Sequence, residues 1–187
     1  MTEGAAGRLP YFTIGHSTLS VDELVARLRA AGVTLLIDVR SIPRSRTNPQ
    51  FNRDVLPDAL AAHGLRYLAL ADLGGRRGRQ RSVNPECNAF WQNTSFHNYA
   101  DWALQPPFRQ ALQQLRELGQ RECCAVMCAE SVWWRCHRRI IADHLLASGE
   151  RVFHIMDGGL VEAQLTEGAQ VHPGGTVSYP PIQPKLI

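Results

Sequence analysis

At 187 residues, with 44% hydrophobic and 20% charged side chains and a formal net charge of +3, the chain reads as one ordinary globular domain, long enough to bury roughly 70% of its unfolded surface. No apolar run approaches the ~20 residues that span a bilayer, and residues 1–10 show no charged start followed by an apolar stretch, so no membrane segment or secretory leader is expected and the expected location is the cytoplasm. Five cysteines, an odd number, read as thiols in a reducing compartment rather than as a disulfide framework.

Residues 11–14 (YFTI) form a short predicted strand that ends in Gly15, His16 and Ser17. A helix follows: Ser20 with Glu23 three residues on is a capping box, Val21, Leu24, Val25 and Leu28 give an apolar face, and Gly32 ends it. Residues 33–39 (VTLLIDV) are a continuous apolar run, as in a strand buried on both faces. Pro43 and Pro49 set a loop, a helix is expected from about Arg53 to His63, and residues 65–70 make a third strand. Residues 72–95, rich in Gly, Arg and Asn without a period, are expected as a mobile surface insertion.

Helices are then expected near 97–104 and 107–118, a buried strand at 122–128, a helix closed by Gly149, and a fifth strand at 151–156. The expected organisation is a flexible N-terminus (1–10), an α/β domain (11–160) and a proline-rich, extended tail (161–187). Alternating strands and helices imply a mostly parallel sheet of about five strands with helices on both faces, because parallel neighbours need crossover connections. In such sheets ligands bind beyond the carboxyl ends of the strands. His16, Asp38 with Arg40, and Cys128 with Glu130 all fall at strand ends, so they are expected on one rim.

The loop from Cys128 to the next helix carries the densest chemistry. A thiol is nucleophilic as thiolate, and a helix N-terminus or neighbouring cations lower its pKa. Cys136 has Arg135, His137 and Arg138 beside it, while Cys128 opens the same loop; Cys123 and Cys124 read as core. His137, His16 and Glu130 are the acid–base candidates. Arg40, Arg135, Arg138 and Ser17 are the anion-binding candidates, and Asp38, two residues before Arg40 on the same side of a strand, is structural or orienting. Cys128, Glu130, Cys136, His137 and His16 also offer metal-ligand types, but the C-x7-C-H spacing matches no common zinc pattern, so neither metal nor cofactor is expected. His63, His97, His144 and His172 carry no signal beyond surface or packing roles.

The motifs TIGHS (13–17), LIDVRSIPRS (36–45), PQF (49–51), LGG (73–75), MCAE (127–130), CHRRIIA (136–142) and VFHI (152–155) together resemble the domain-of-unknown-function 488 family over residues 11–160. The resemblance implies an α/β domain found mainly in bacteria and archaea, and brings no established reaction. A second likeness is to rhodanese-type sulfurtransferase domains, carried by LLIDVR and by VMCAESVWWR followed by a helix and LLASGERVFHIMDGGL. It implies a persulfide-forming role for Cys128 and a loop-closing role for Arg135, although this loop has no glycine and holds Trp133 and Trp134.

Three functions remain open. The first is an enzyme acting on a small anionic substrate, phosphate-bearing or sulfur-carrying, through these cysteines. The second is a non-catalytic nucleic-acid module, with the arginines of 40–53 and 76–81 on phosphates and a tryptophan for stacking. The third is a structural or regulatory partner protein. The oligomeric state is not legible.

Overall fold

The computed structural model describes residues 7–182. In chain order the elements are β1 (Tyr11–Gly15), α1 (Val21–Ala30), β2 (Leu35–Asp38), α2 (Leu56–Ala61), β3 (Arg66–Ala69), α3 (Thr94–Trp102), α4 (Pro106–Gly119), β4 (Cys124–Cys128), α5 (Arg138–Ala147), β5 (Val152–Met156), β6 (Gly159–Glu162), β7 (Gln170–Val171) and β8 (Val177–Ser178). One sheet runs β3-β2-β4-β1-β5-β6, and β7 pairs only with β8. Every pair among the first five strands is parallel, whereas β6 returns antiparallel along β5. This is the mostly parallel α/β architecture that the alternation of elements implies.

The strands sort their side chains into two core layers by simple alternation. Phe12, Ile14, Leu36, Ala125 and Met127 pack with Leu24, Val25 and Leu28 of α1 and Leu56 and Leu60 of α2. Leu35, Ile37, Cys124, Val126 and Cys128 pack on the other side with Tyr99 of α3, Phe108, Leu112 and Leu115 of α4 and Ile140, Ile141 and Leu145 of α5. The capping box of α1 is formed: Ser20 Oγ accepts from Glu23 N at 3.1 Å, and Ser20 N donates to Glu23 Oε2 at 2.6 Å. Helix α3 starts at Thr94, earlier than the apolar spacing suggests, because Asn93 Oδ1 accepts from Ser95 N and Phe96 N.

The sixth strand follows from a two-residue Asp157-Gly158 turn between β5 and β6, a hairpin signal hidden in the sequence by its position in a glycine-rich run. Residues 72–95 fold back onto α3. Trp102 Nε1 donates to Asp72 O (2.8 Å), Tyr99 OH to Leu73 O (2.7 Å) and Arg76 N to Ser41 Oγ (2.9 Å). The Arg77 guanidinium lies 4.1 Å over the Trp102 ring. The chain after β6 also packs down, since Tyr179 is fully buried and its hydroxyl donates to Asp143 Oδ2 at 2.8 Å. The expected tail extends past residue 182, so its last part, with Lys185, lies outside the described residues. No helix among the described residues is long and apolar enough to cross a membrane.

Candidate functional site

Because β4 lies between β2 and β1, three loops leave the sheet side by side. Gly15 is in register with Cys128 and Asp38 with Met127. Pairing continues past the strand ends: His16 N donates to Cys128 O (2.9 Å), Ser17 N to Ala129 O (3.0 Å) and Val39 N to Met127 O (3.0 Å). A β-carbon on Gly15 would collide with the Glu130 carbonyl, so only glycine lets the first and fourth loops approach this closely. Ser17 holds a left-handed φ of 43° immediately after this contact.

Cys128 and Cys136 meet at the floor of the resulting cleft, Sγ to Sγ 2.7 Å, and both are buried. His137 Nδ1 lies 3.4 Å from Cys136 Sγ, and Nε2 lies 3.0 Å from Val39 O. A carbonyl only accepts, so Nε2 carries a proton and Nδ1 is the nitrogen that exchanges a proton with the sulfur. Burial alone would raise the Cys136 thiol. The hydrogen bond from Cys128, the adjoining His137 and the Arg138 cation outweigh it and hold Cys136 well below its usual value. Cys128 goes the other way, pushed well above its usual value by burial and by the neighbouring Cys136. The two sulfurs are thus shifted in opposite directions, Cys136 toward the thiolate and Cys128 toward the thiol.

Arg138, at the start of α5, is fully buried. It donates to Glu130 O (2.6 Å), Ser131 O (3.3 Å) and Thr13 Oγ1 (3.4 Å), and its Nε has no partner. All of these partners are neutral, and the Arg138 charge is one of the influences that lower the Cys136 thiol. Thr13 Oγ1 in turn contacts His154 Nδ1 at 2.7 Å, and Trp133 stacks flat on His154 with centroids 4.3 Å apart. Thr13 and His154, which lie within the TIGHS and VFHI motifs but are given no role by them, thus enter the site together with Trp133. The available signal was a histidine at an inward position of an otherwise apolar strand.

A separate buried frame supports the other side of the rim. Arg40 Nε and Nη2 donate to the two oxygens of Asp38 at 2.9 and 2.6 Å, Nη2 also to Phe51 O at 2.7 Å, and Tyr67 OH to Asp38 Oδ2 at 2.6 Å. Arg40 Nη1 lies 3.3 Å from His16 Nε2, while His16 Nδ1 donates to Ser17 O at 2.9 Å. His16 stacks on Phe51, and burial and the Arg40 charge lower its pKa to about 4, so both its nitrogens are engaged in a neutral ring. Glu130 is exposed at the mouth, where Oε1 accepts from Val132 N and Ser131 Oγ, each at 3.3 Å.

The cleft above the cysteines has a volume of about 700 Å³, with Cys128, Cys136 and His137 below, Tyr99 on one wall, and Arg76 and Arg135 exposed at the mouth. The guanidinium of Arg138 is not among its lining, and Ser17 lines a neighbouring depression of about 500 Å³ with Arg44 and Asn48. Gly75 closes one edge: a β-carbon there would come 2.5 Å from His137 Nδ1. No group of three or more His, Cys, Asp or Glu side chains among the described residues could hold a metal ion.

The fold and this rim define an α/β domain with a buried dithiol at the carboxyl ends of a parallel sheet. The chain belongs to the family described as domain of unknown function DUF488, whose family model matches residues 20–145. No curated protein and no solved structure matches it, and the likeness to rhodanese-type domains rests on the sequence motifs alone.

Proposed function

We propose that the chain is a cysteine-dependent enzyme acting on a small anionic substrate, with Cys136 as nucleophile. The observation that carries this reading is the pairing of the two sulfurs at 2.7 Å with His137 Nδ1 at 3.4 Å from Cys136. A thiolate held by a donor thiol, an imidazole and a buried cation is the arrangement that makes cysteine reactive near neutral pH. His137 returns or removes the proton, and Arg138 acts on the thiolate through its charge. Arg135 and Arg76 at the mouth take the substrate anion. The Asp38–Arg40–His16 frame holds the loops in position, with Ser17 and the backbone of Glu130 fixing their approach.

The test is the pH dependence of alkylation at each cysteine, read by peptide mass spectrometry with and without thiosulfate, sulfate or phosphate. Cys136 should react as a thiolate at neutral pH and be protected by anion, while Cys128 stays unreactive. Arg135→Ala or Arg76→Ala should weaken that protection about tenfold, the loss expected for one charge-assisted contact, with melting temperature unchanged. If both cysteines stay inert until the protein unfolds, the dithiol is packing and the enzyme reading fails.

A nucleic-acid reading draws on a different observation: Arg76, Arg79 and Arg81 are exposed in one loop segment, and Trp134, within the cysteine loop, is 47% exposed. Such binding must weaken steeply with salt, and a flat response removes it.

A further inference from the structure

Two features of the dithiol bear on which bond it breaks. A thiolate nucleophile needs a base, a cation and an anion-binding mouth whatever group it attacks; a second thiol in van der Waals overlap with the nucleophile serves only some of those reactions. A phosphoryl or acyl group on Cys136 is removed by water or another acceptor, and Cys128 adds nothing to that step. A sulfur substituent on Cys136 is different, because a neighbouring thiol displaces it directly. The 2.7 Å contact is not far above the ~2.05 Å of a disulfide bond, so the displacement needs little motion.

We infer that the substrate is an anionic disulfide and that Cys128 is the resolving cysteine, a reading that rests on Cys136 being the nucleophile. In the first step the Cys136 thiolate attacks one sulfur of the substrate. A bond forms between Cys136 Sγ and that sulfur, the substrate S–S bond breaks, and one substrate thiolate leaves. In the second step Cys128 Sγ attacks Cys136 Sγ, the mixed disulfide breaks, and the proton of the Cys128 thiol ends on the second leaving group. One thiolate, one thiol and one disulfide become an internal Cys128–Cys136 disulfide, one free thiolate and one free thiol. Two electrons pass from the cysteine pair to the substrate, and an external dithiol returns the protein to its reduced state.

The charge arrangement suits this use. The substrate anion meets Arg76 and Arg135 at the mouth, while His137 Nδ1 lies 3.4 Å from Cys136 Sγ at the floor, within reach of the sulfur where exchange takes place. The 700 Å³ cleft accommodates a substituent of small-molecule size on Cys136 before resolution.

Dithiobis(nitrobenzoate), an anionic aromatic disulfide whose released thiolate is coloured, reports each step. The full chain is used with Cys87→Ser, since Cys87 is the half-exposed cysteine and Cys123 and Cys124 are buried. With one equivalent of reagent at neutral pH, the reduced protein should release two equivalents of coloured thiolate per chain and yield a Cys128–Cys136 disulfide in the peptide map. Cys128→Ala should release one equivalent and retain the nitrobenzoate on Cys136. Should the protein with both cysteines also stop at one equivalent with the label on Cys136, Cys128 does not resolve, and the nucleophile reading survives without this one. Should nothing be released while Cys136 also resists alkylation, both readings fall.

Discussion

At the scale of single residues, the two buried arginines face opposite consequences. Arg40 is balanced by Asp38, and both side chains are almost entirely inaccessible. Asp38→Ala leaves that guanidinium buried without a counterion, so a loss of about 3–5 kcal/mol is expected in denaturant unfolding. Arg138 has only neutral hydrogen-bond partners among the described residues, and on the proposed reading the Cys136 thiolate balances its charge. Oxidation to a disulfide removes that negative charge and leaves the cation alone, a cost of about 3–5 kcal/mol that exceeds the roughly 2.5 kcal/mol a loop of this length returns through chain entropy. The oxidised protein should therefore melt below the reduced one, the reverse of the usual effect of a disulfide. Arg138→Met removes the cation that holds Cys136 down, so the pH midpoint of Cys136 alkylation should move up. An unmoved midpoint would show that Cys128 and His137 suffice without it.

At the scale of elements, the site depends on how closely loops pass. Gly75 sits against His137 with no room for a methyl group. Gly75→Ala should leave the sheet and both core layers unchanged while displacing the imidazole from Cys136, so alkylation at neutral pH should slow with little change in melting temperature. An unaltered rate would mean that the 74–77 segment yields instead. Gly15 allows no such escape, because the atoms it meets are the backbone of Glu130 and Ser131. Its replacement by alanine should lower stability and thiol reactivity together. The capping box of α1, remote from the cleft, separates stability from chemistry: Ser20→Ala should cost about 1 kcal/mol and leave alkylation of Cys136 as it was.

For the whole molecule, three histidines link folding to pH. Burial lowers His16 and His154 from 6.5 to about 4 and His144 to about 3, with Arg40, Arg138 and Arg109 respectively adding to the effect. Between these values and 6.5 the unfolded chain binds more protons than the folded one. Their contribution is complete above about pH 6.5 and is lost as pH falls through that window toward 4. Asp101 and Asp143, raised chiefly by burial, work in the opposite sense over the acid end of the range. The melting temperature should fall between pH 7 and about pH 4.5, and His144→Leu should make the fall shallower. An equal slope in that variant would assign the acid sensitivity to other groups.

Local pattern alone determined much of this protein. The capping box at Ser20, the apolar runs at Leu35–Asp38 and Cys124–Cys128, and the glycines that end helices are each written within a few residues, because helix and strand periodicity is a short-range property. The same patterns put His16, Asp38, Arg40, Cys128 and Glu130 at strand ends, and the parallel architecture brings those ends to one rim. What the sequence left open is set by contacts between distant segments: His154 with Thr13, Trp133 over His154, Gly75 against His137, and the fold of residues 72–95 on α3. Burial decides the chemistry as well. It leaves Arg138 a charge cut off from water and raises Cys128, while hydrogen bonds and the neighbouring His137 and Arg138 shift Cys136 the other way and both nitrogens of His16 are engaged. No local pattern carries that information, since a group's solvation and its charged neighbours exist only once the loops have closed around it.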